Sequence, residues 1–161
     1  MARLEWSDAL SLDLPLMDDT HREFVDLLAL VQSAPDAALA DAWLTLITHT
    51  DEHFGQEDRW MAATRFASSN CHSMQHKVVL QVMREGAALA AGGNLAAVRT
   101  MASELALWFP QHAQSMDAAL ALHLRRTGYD PLTGVVSRPE DLPAGLVEGC
   151  GSAACSDAVS A

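Results

Sequence analysis

The strongest constraint on the fold is a helical repeat of apolar residues in four successive segments. These segments run from residue 18 to 32, from about 35 to 64, from about 70 to 91 and from about 94 to 124. In each segment the apolar residues recur every three or four positions, which is typical of one buried face of a helix. No segment alternates with a period of two. The sequence therefore predicts an all-α fold, an up-down-up-down antiparallel four-helix bundle.

The two ends of the chain lack this repeat. Residues 125–161 hold five of the nine glycines and three of the six prolines, a composition typical of a loop or tail. We predict a bundle over residues 1–124 that includes an N-terminal arm, and a C-terminal extension over residues 125–161 that is flexible or loosely docked.

Charge and composition exclude several classes of partner. The formal net charge is −11 and the pI is near 4.8, so nucleic acid and anionic membranes would repel the chain. No apolar stretch approaches the roughly 18 residues of a membrane helix, so no membrane insertion is expected. The N-terminus lacks the pattern of a secretory signal. Three cysteines at uneven spacing suggest no disulfide framework, which favours a reducing, cytoplasmic location.

Histidines lie where apolar residues are expected. Five of the seven histidines fall on the apolar faces of the four predicted helices, and two acids accompany them. A single histidine on such a face is ordinarily a hydrogen-bonded core residue. Seven polar residues in one core are costly to bury unless a cation compensates them. These residues are His21, His53, Glu57, His72, His76, His112 and Asp117.

The spacing of these residues supports a common site. His53 and Glu57 are four positions apart, as are His72 and His76, so each pair projects from one face of a helix. His112 and Asp117 are five positions apart, which an ideal helix would separate by about 140°. Pro110 precedes them and removes a helical hydrogen bond. A kink or a π-type widening is therefore expected at this point.

The number and type of these side chains indicate the metal. Seven ligands exceed the four of a tetrahedral zinc site. Imidazoles with two carboxylates suit two mid-first-row metals bridged by the carboxylates, and iron is the leading candidate.

The ordered pattern resembles the hemerythrin family. It consists of a histidine on the first helix followed by H-x-x-x-E, H-x-x-x-H and H-x-x-x-x-D. The local sequence around this pattern is also similar to that of bacterial members of the family. The similar segments are Leu4-Glu5-Trp6-Ser7, Met17-Asp18-Asp19-Thr20-His21, and Trp108 four residues before His112. The resemblance covers about residues 3 to 124.

This resemblance implies a non-haem di-iron centre that binds O2 reversibly. It implies that His72, His76 and His112 bind one iron and that His21 and His53 bind the other. Glu57 and Asp117 would bridge the two irons together with an oxo or hydroxo group. O2 would bind at the iron that has only two histidines.

An apolar wall is expected around the O2 position, because a dry pocket protects bound O2. Its candidates can equally be ordinary core residues. Ala113 stands where a larger aliphatic residue is expected beside the fourth-helix histidine. The candidates are Phe24, Leu28, Phe54, Trp108, Phe109 and Ala113.

The remaining histidines and cysteines carry weaker signals. His49 and His123 are expected at the surface or beside ligands. Cys71 is expected to be a small apolar filler next to His72. Cys150 and Cys155 are expected to be exposed tail residues, although a redox-sensitive disulfide or a metal pair is the alternative.

Three functions remain open at this point. The leading one is a non-enzymatic protein that stores O2, delivers it to an oxygen-consuming enzyme or scavenges it. The second is a di-iron enzyme that acts on peroxide or nitric oxide. The third is an oxygen or redox sensor that acts through its C-terminal tail.

Overall fold

The computed structural model describes residues 3–66 and 71–145, and these residues form a helical bundle. The helices are α1 (Pro15–Ser33), α2 (Asp36–Ala63), α3 (Cys71–Ala91), α4 (Leu95–His112) and α5 (Ala118–Thr127). A π-helical turn, Ala113–Asp117, joins α4 to α5. Helix α1 packs against α2, α2 against α3, α3 against α4 and α4 against α1. Within the described ranges there is no strand, only an isolated bridge between Tyr129 and Val136. The predicted all-α four-helix bundle is confirmed, with α4, the π turn and α5 forming the fourth helix.

The helix boundaries follow local chemistry. Pro15 occupies the start of α1, where its missing N–H costs nothing. After α3, Gly93 adopts a φ of +90°, and the N–H of Asn94 donates to the carbonyl of Leu89, closing the helix end. The side chain of Asn94 then accepts the N–H of Ala97 and caps α4.

The π turn confirms the predicted widening after Pro110. The N–H of Ala118 donates to the carbonyl of Ala113, five residues earlier, which is the hydrogen bond of a π-helix. This extra residue in the turn compensates for the five-residue spacing between His112 and Asp117. Both side chains consequently point into the bundle, where both are buried.

Two apolar clusters lie on either side of the buried polar residues. One cluster includes Phe24, Trp43, Val98 and Phe109, and the other includes Met17, Trp60, Met61, Leu120 and Leu124. Along α1, His21 lies between Met17 of one cluster and Phe24 of the other. Packing on both sides therefore fixes the backbone that carries the polar residues.

The segments outside the bundle are attached by hydrogen bonds. In the N-terminal arm, the Ser11 hydroxyl and the Leu12 N–H donate to the carboxylate of the buried Asp18. After Thr127 the chain folds back, and the N–H of Arg138 donates to the carbonyl of Thr127. Helix α5 ends at Thr127, three residues past the predicted end of the bundle at residue 124. The division of the chain into a bundle and a C-terminal extension remains a prediction. Residues 146–161 lie outside the described residues.

Cys71 corrects two expectations from the sequence. It is disulfide-bonded, so the prediction that it is a simple apolar filler is wrong, and the spacing of the cysteines no longer favours a reducing location. Disulfide formation depends on the distance between two Cα atoms in space, which spacing along the chain does not reveal. The predictions for Cys150 and Cys155 lie outside the described residues. Among the helices that are described, none is long and apolar enough to cross a membrane.

Candidate metal centre

Each of the four long helices brings one or two polar side chains to a common point in the core. Helix α1 contributes one residue, α2 and α3 contribute a pair each, and the fourth helix contributes the residue just before the π turn and the last residue of that turn. All of them are at most 3% exposed. They are the residues that the sequence singled out: His21, His53, Glu57, His72, His76, His112 and Asp117.

These side chains form two overlapping groups of metal-ligand type. In each group the ligand atoms all lie within 4.8 Å of one another. The three-histidine group contains His72, His76 and His112, and the two-histidine group contains His21 and His53. Glu57 and Asp117 belong to both groups. The arrangement therefore offers two adjacent metal positions that share two carboxylates.

Glu57 turns one oxygen toward each group. Its Oε1 lies 3.0 Å from His53 Nε2 and 3.4 Å from His21 Nε2. Its Oε2 lies 3.3 Å from the Nε2 atoms of both His72 and His76. A carboxylate placed in this way can bind two cations at once, one through each oxygen.

Asp117 also turns one carboxylate oxygen toward each group. Its Oδ2 lies 3.2 Å from His21 Nε2, whereas its Oδ1 lies 2.9 Å from His72 Nε2 and 3.1 Å from His112 Nε2. The two acids come from different helices, so the division is not a product of one local backbone conformation. The π turn is what allows Asp117 to take this position beside His112.

The buried charges perturb one another strongly. Burial alone would lower the pKa of His21 and His72, but the nearby carboxylates of Asp117 and Glu57 outweigh it and raise the pKa of both rings to about 10. Burial works against ionisation of Glu57 and Asp117, yet the surrounding imidazoles hold the pKa of each carboxyl well below its usual value. In His53 burial prevails and lowers the pKa. The protein core thus favours two carboxylate anions with positive charge around them.

Several buried nitrogen and oxygen atoms at the centre have no hydrogen-bond partner in the described part of the chain and are of the types that bind metal ions. Among the described residues, His21 Nε2, His72 Nε2, Glu57 Oε2 and both carboxylate oxygens of Asp117 make no geometrically acceptable hydrogen bond. Such atoms are rare in protein cores because leaving them unsatisfied is costly. Metal ions coordinated by these nitrogens and oxygens would satisfy them, so the donor set fits a metal centre.

The close approach of His76 and His112 is a second indication of a metal centre. Their Nε2 atoms face each other at 3.3 Å. Each ring also has a hydrogen-bond acceptor on its Nδ1 side: Asp58 for His76 at 3.0 Å, and Gln75 for His112 at 3.2 Å. With Nδ1 donating, a neutral ring carries its lone pair on Nε2. Two such lone pairs at this distance repel unless a proton or a metal ion lies between them.

Asp58 and Gln75 were not predicted from the sequence. Asp58 follows Glu57 on α2, and Gln75 precedes His76 on α3. Neither lies on an apolar face, and neither belongs to a ligand motif. Their position next to a ligand along the chain is the only signal that points to them, and a residue in that position usually faces solvent.

Aromatic rings cover both groups. Phe109 packs edge-on against His21 with centroids 5.2 Å apart, and it stacks on Phe24 at 4.5 Å. Phe54 stacks on His76 at 4.0 Å, and Trp108 stacks on His112 at 4.4 Å. Of the predicted apolar wall, Phe24 and Phe109 thus adjoin the two-histidine group, whereas Trp108 lies against the three-histidine group. Leu28 and Ala113 are fully buried in the same apolar cluster as Phe24.

The other two described histidines stay outside the centre. His49 Nε2 lies 3.2 Å from the carbonyl of Thr20, and His123 Nε2 lies 2.9 Å from the carbonyl of Thr64. Neither belongs to the two metal-ligand groups. The sequence predicts that both lie at the surface or beside ligands.

Fold and site together define a class: a four-helix bundle with a buried cluster of histidines and carboxylates that suits metal binding. The family model for the hemerythrin HHE cation binding domain matches residues 12–122. The chain belongs to the hemerythrin family, as its sequence pattern indicated.

Curated relatives agree with this assignment. A bacteriohemerythrin of Ralstonia nicotianae is 37% identical over 130 residues, which cover 81% of this chain and 95% of that protein. A bacteriohemerythrin of Pseudomonas paraeruginosa is 27% identical over 89 residues, 53% of this chain and 58% of that protein. The chain thus matches nearly all of the first relative and little more than half of the second. No solved structure matches the chain significantly.

Proposed function

We propose that this protein binds O2 reversibly at a di-iron centre held by the seven buried residues described above. His72, His76 and His112 would bind one iron, and His21 and His53 the other. Glu57 and Asp117 would bridge the two irons, with an oxo or hydroxo group as the third bridge. The observation that carries the proposal is the division of both carboxylates, each of which turns one oxygen toward each histidine group.

The difference between the two groups supports binding of a small molecule at one position. Three histidines and two carboxylates supply one metal with five protein ligands, whereas two histidines and the same carboxylates supply the other with four. With one further bridging oxygen, the first metal would be six-coordinate and the second would be five-coordinate. The two-histidine position would therefore keep a site for O2, and two ferrous ions would supply the electrons that O2 accepts on binding.

The surroundings of the two-histidine position suit reversible binding. The side chains of Phe24 and Phe109 are fully buried against it, so they exclude water from one side of the site. Exclusion of water slows proton-assisted loss of reduced oxygen species. The five neutral imidazoles also distinguish this donor set from the carboxylate-rich sets of ferritin-like di-iron proteins. Fewer anionic ligands leave iron less able to reach the high oxidation states that attack substrates.

Metal analysis combined with optical spectroscopy tests the proposal. The purified protein should contain about two irons per chain, and the anaerobically reduced form should be nearly colourless. Exposure to O2 should produce visible absorption, and removal of O2 under argon should reverse it over repeated cycles. A protein that contains only zinc, or one whose ferrous form oxidises at once without such a reversible spectrum, would overturn O2 carriage.

Two further measurements separate the alternatives. Steady consumption of peroxide or nitric oxide by the ferrous protein would indicate an enzyme. An O2-dependent change in partner binding that is lost on deletion of residues 125–161 would indicate a sensor. As a carrier, the protein would be cytoplasmic and would store O2, scavenge it or deliver it to an oxygen-consuming enzyme.

A further inference from the structure

The five histidines of the centre differ in the hydrogen-bond acceptor of Nδ1, the ring nitrogen that faces away from the centre. An imidazole that binds a metal through Nε2 keeps a proton on Nδ1, and the acceptor of that proton fixes the tautomer and the ring orientation. The partners of the Nδ1 atoms therefore show which ligands are held in place before any metal binds.

His76 is held on two sides. Its Nδ1 donates to Asp58 Oδ1 at 3.0 Å, and the ring of Phe54 stacks on it with an interplanar angle of 6°. The Asp58 side chain is 38% exposed and lines a groove between α2 and α3. A buried ligand is thus connected to a carboxylate that remains in contact with solvent.

His112 is held in a parallel way but by a neutral group. Gln75 Oε1 accepts from His112 Nδ1 at 3.2 Å and from Trp108 Nε1 at 3.3 Å. The Trp108 ring stacks on His112. The acceptor of His76 carries a negative charge, whereas that of His112 does not.

In the part of the chain that the structure describes, no acceptor holds the Nδ1 atoms of the two-histidine group. Within the described ranges, the Nδ1 atoms of His21 and His53 are buried without a hydrogen bond. The same holds for His72 Nδ1. Only His76 therefore combines a ligand position with a charged acceptor behind it.

We propose that Asp58 is a positioning residue that orients His76 for metal binding and strengthens it as a ligand. This proposal rests on the proposed function, because it takes His76 as a ligand. The carboxylate holds the proton on Nδ1, which leaves the Nε2 lone pair directed at the centre. Its charge also makes the imidazole more electron-rich, which favours the ferric over the ferrous state of the iron it binds.

Variants at Asp58 and at a matched acid test the proposal. Asp51 is the control, since it lies two helical turns earlier on α2, lines the same groove and is 55% exposed, with Arg84 as its ion-pair partner. Asp58→Ala removes both the acceptor and the charge. Asp58→Asn keeps an acceptor without the charge, and Asp58→Glu restores the carboxylate. Helix content by circular dichroism verifies that each variant folds.

The first measurement is the transfer of ferrous iron from each loaded protein to a chelator. Loss of a hydrogen-bonded partner behind a metal ligand typically weakens metal binding about 10–100-fold. We expect iron to leave D58A at least about tenfold faster than wild type, D58N to be intermediate, and D58E and D51N to match wild type. The potential of the iron should be more positive in D58N than in D51N. Equal release rates and equal potentials in D58A and D51N would overturn the proposal.

The second measurement does not need iron. In the metal-free protein, proton NMR should show a downfield His76 Nδ1–H resonance, protected from exchange by Asp58. This resonance should be present in D51N and lost in D58A. If wild type binds no iron but the resonance follows Asp58, the proposed function fails while the contact stands. If wild type binds iron and all variants release it equally, the positioning role fails while the proposed function stands.

Discussion

The two halves of the metal centre are built differently although they share both acids. In the three-histidine group, two of the three rings are stacked on an aromatic side chain and hydrogen-bonded at Nδ1. In the two-histidine group, the rings of His21 and His53 are held by packing, and their Nδ1 atoms make no hydrogen bond within the described residues. We therefore expect the three-histidine group to hold a metal ion more rigidly than the two-histidine group, which could adjust when a small molecule binds.

The shared carboxylates connect the halves, and removal of one should have the largest effect. Glu57→Gln keeps the shape of the side chain but removes the charge that faces both groups. We expect iron content to fall from about two per chain to almost none. The metal-free protein should lose about 3–5 kcal/mol of unfolding free energy, because the buried histidines lose their counter-charge. Metal analysis and urea unfolding measure these effects.

His53→Asn is the matched comparison for Glu57→Gln, because it removes a ligand from the two-histidine group alone. This variant should retain about one iron per chain. If E57Q and H53N retained equal amounts of iron, Glu57 would not be shared between the halves.

The unfolding free energy of the metal-free protein should depend on pH through one histidine from each half, His21 and His72. The pKa values of His21 and His72 are raised to about 10 from 6.5. Their contribution to stability is therefore complete below pH 6.5 and is lost as the pH rises from 6.5 to about 10, since only the folded state stays protonated there. Glu57 and Asp117 have lowered pKa values, so their contribution is lost as the pH falls below their unfolded values of 4.5 and 3.8.

Urea unfolding at a series of pH values in the presence of a chelator measures this dependence. We expect the unfolding free energy to fall by on the order of a few kcal/mol between pH 6.5 and 10. His53, whose pKa is lowered by burial, acts below pH 6.5 and does not alter this window. His72→Gln should flatten the decline, and a profile that is already flat in wild type would contradict the raised pKa values.

Much of this architecture could be predicted from the sequence because it depends on local periodicity. The apolar repeat gave the four helices, and the four-residue spacing placed His53 with Glu57 and His72 with His76. Even the π turn could be anticipated, since Pro110 and the five-residue spacing of His112 and Asp117 required a local adjustment. These features depend on residues that are close along the chain.

The features that were not predicted depend on contacts between helices. Asp58 contacts His76 across 18 residues of sequence, and Gln75 contacts His112 across 37. No spacing along one helix reveals such a pair. The disulfide bond of Cys71 likewise depends on distance in space and not on spacing along the chain.

Neighbouring residues on α4 allow the smallest of these effects to be tested. Phe109 packs against His21 and Trp108 against His112, so adjacent positions report on opposite halves of the centre. Phe109→Leu should cost about 1–2 kcal/mol of stability, because it leaves a cavity in a fully buried site. It should also shorten the lifetime of the O2-bound form severalfold by admitting water to the two-histidine position. Trp108→Phe keeps an aromatic ring on His112 and should leave that lifetime nearly unchanged. Decay of the visible absorption in air measures both variants, and equal lifetimes would show that the two halves are not distinguished by their apolar surroundings.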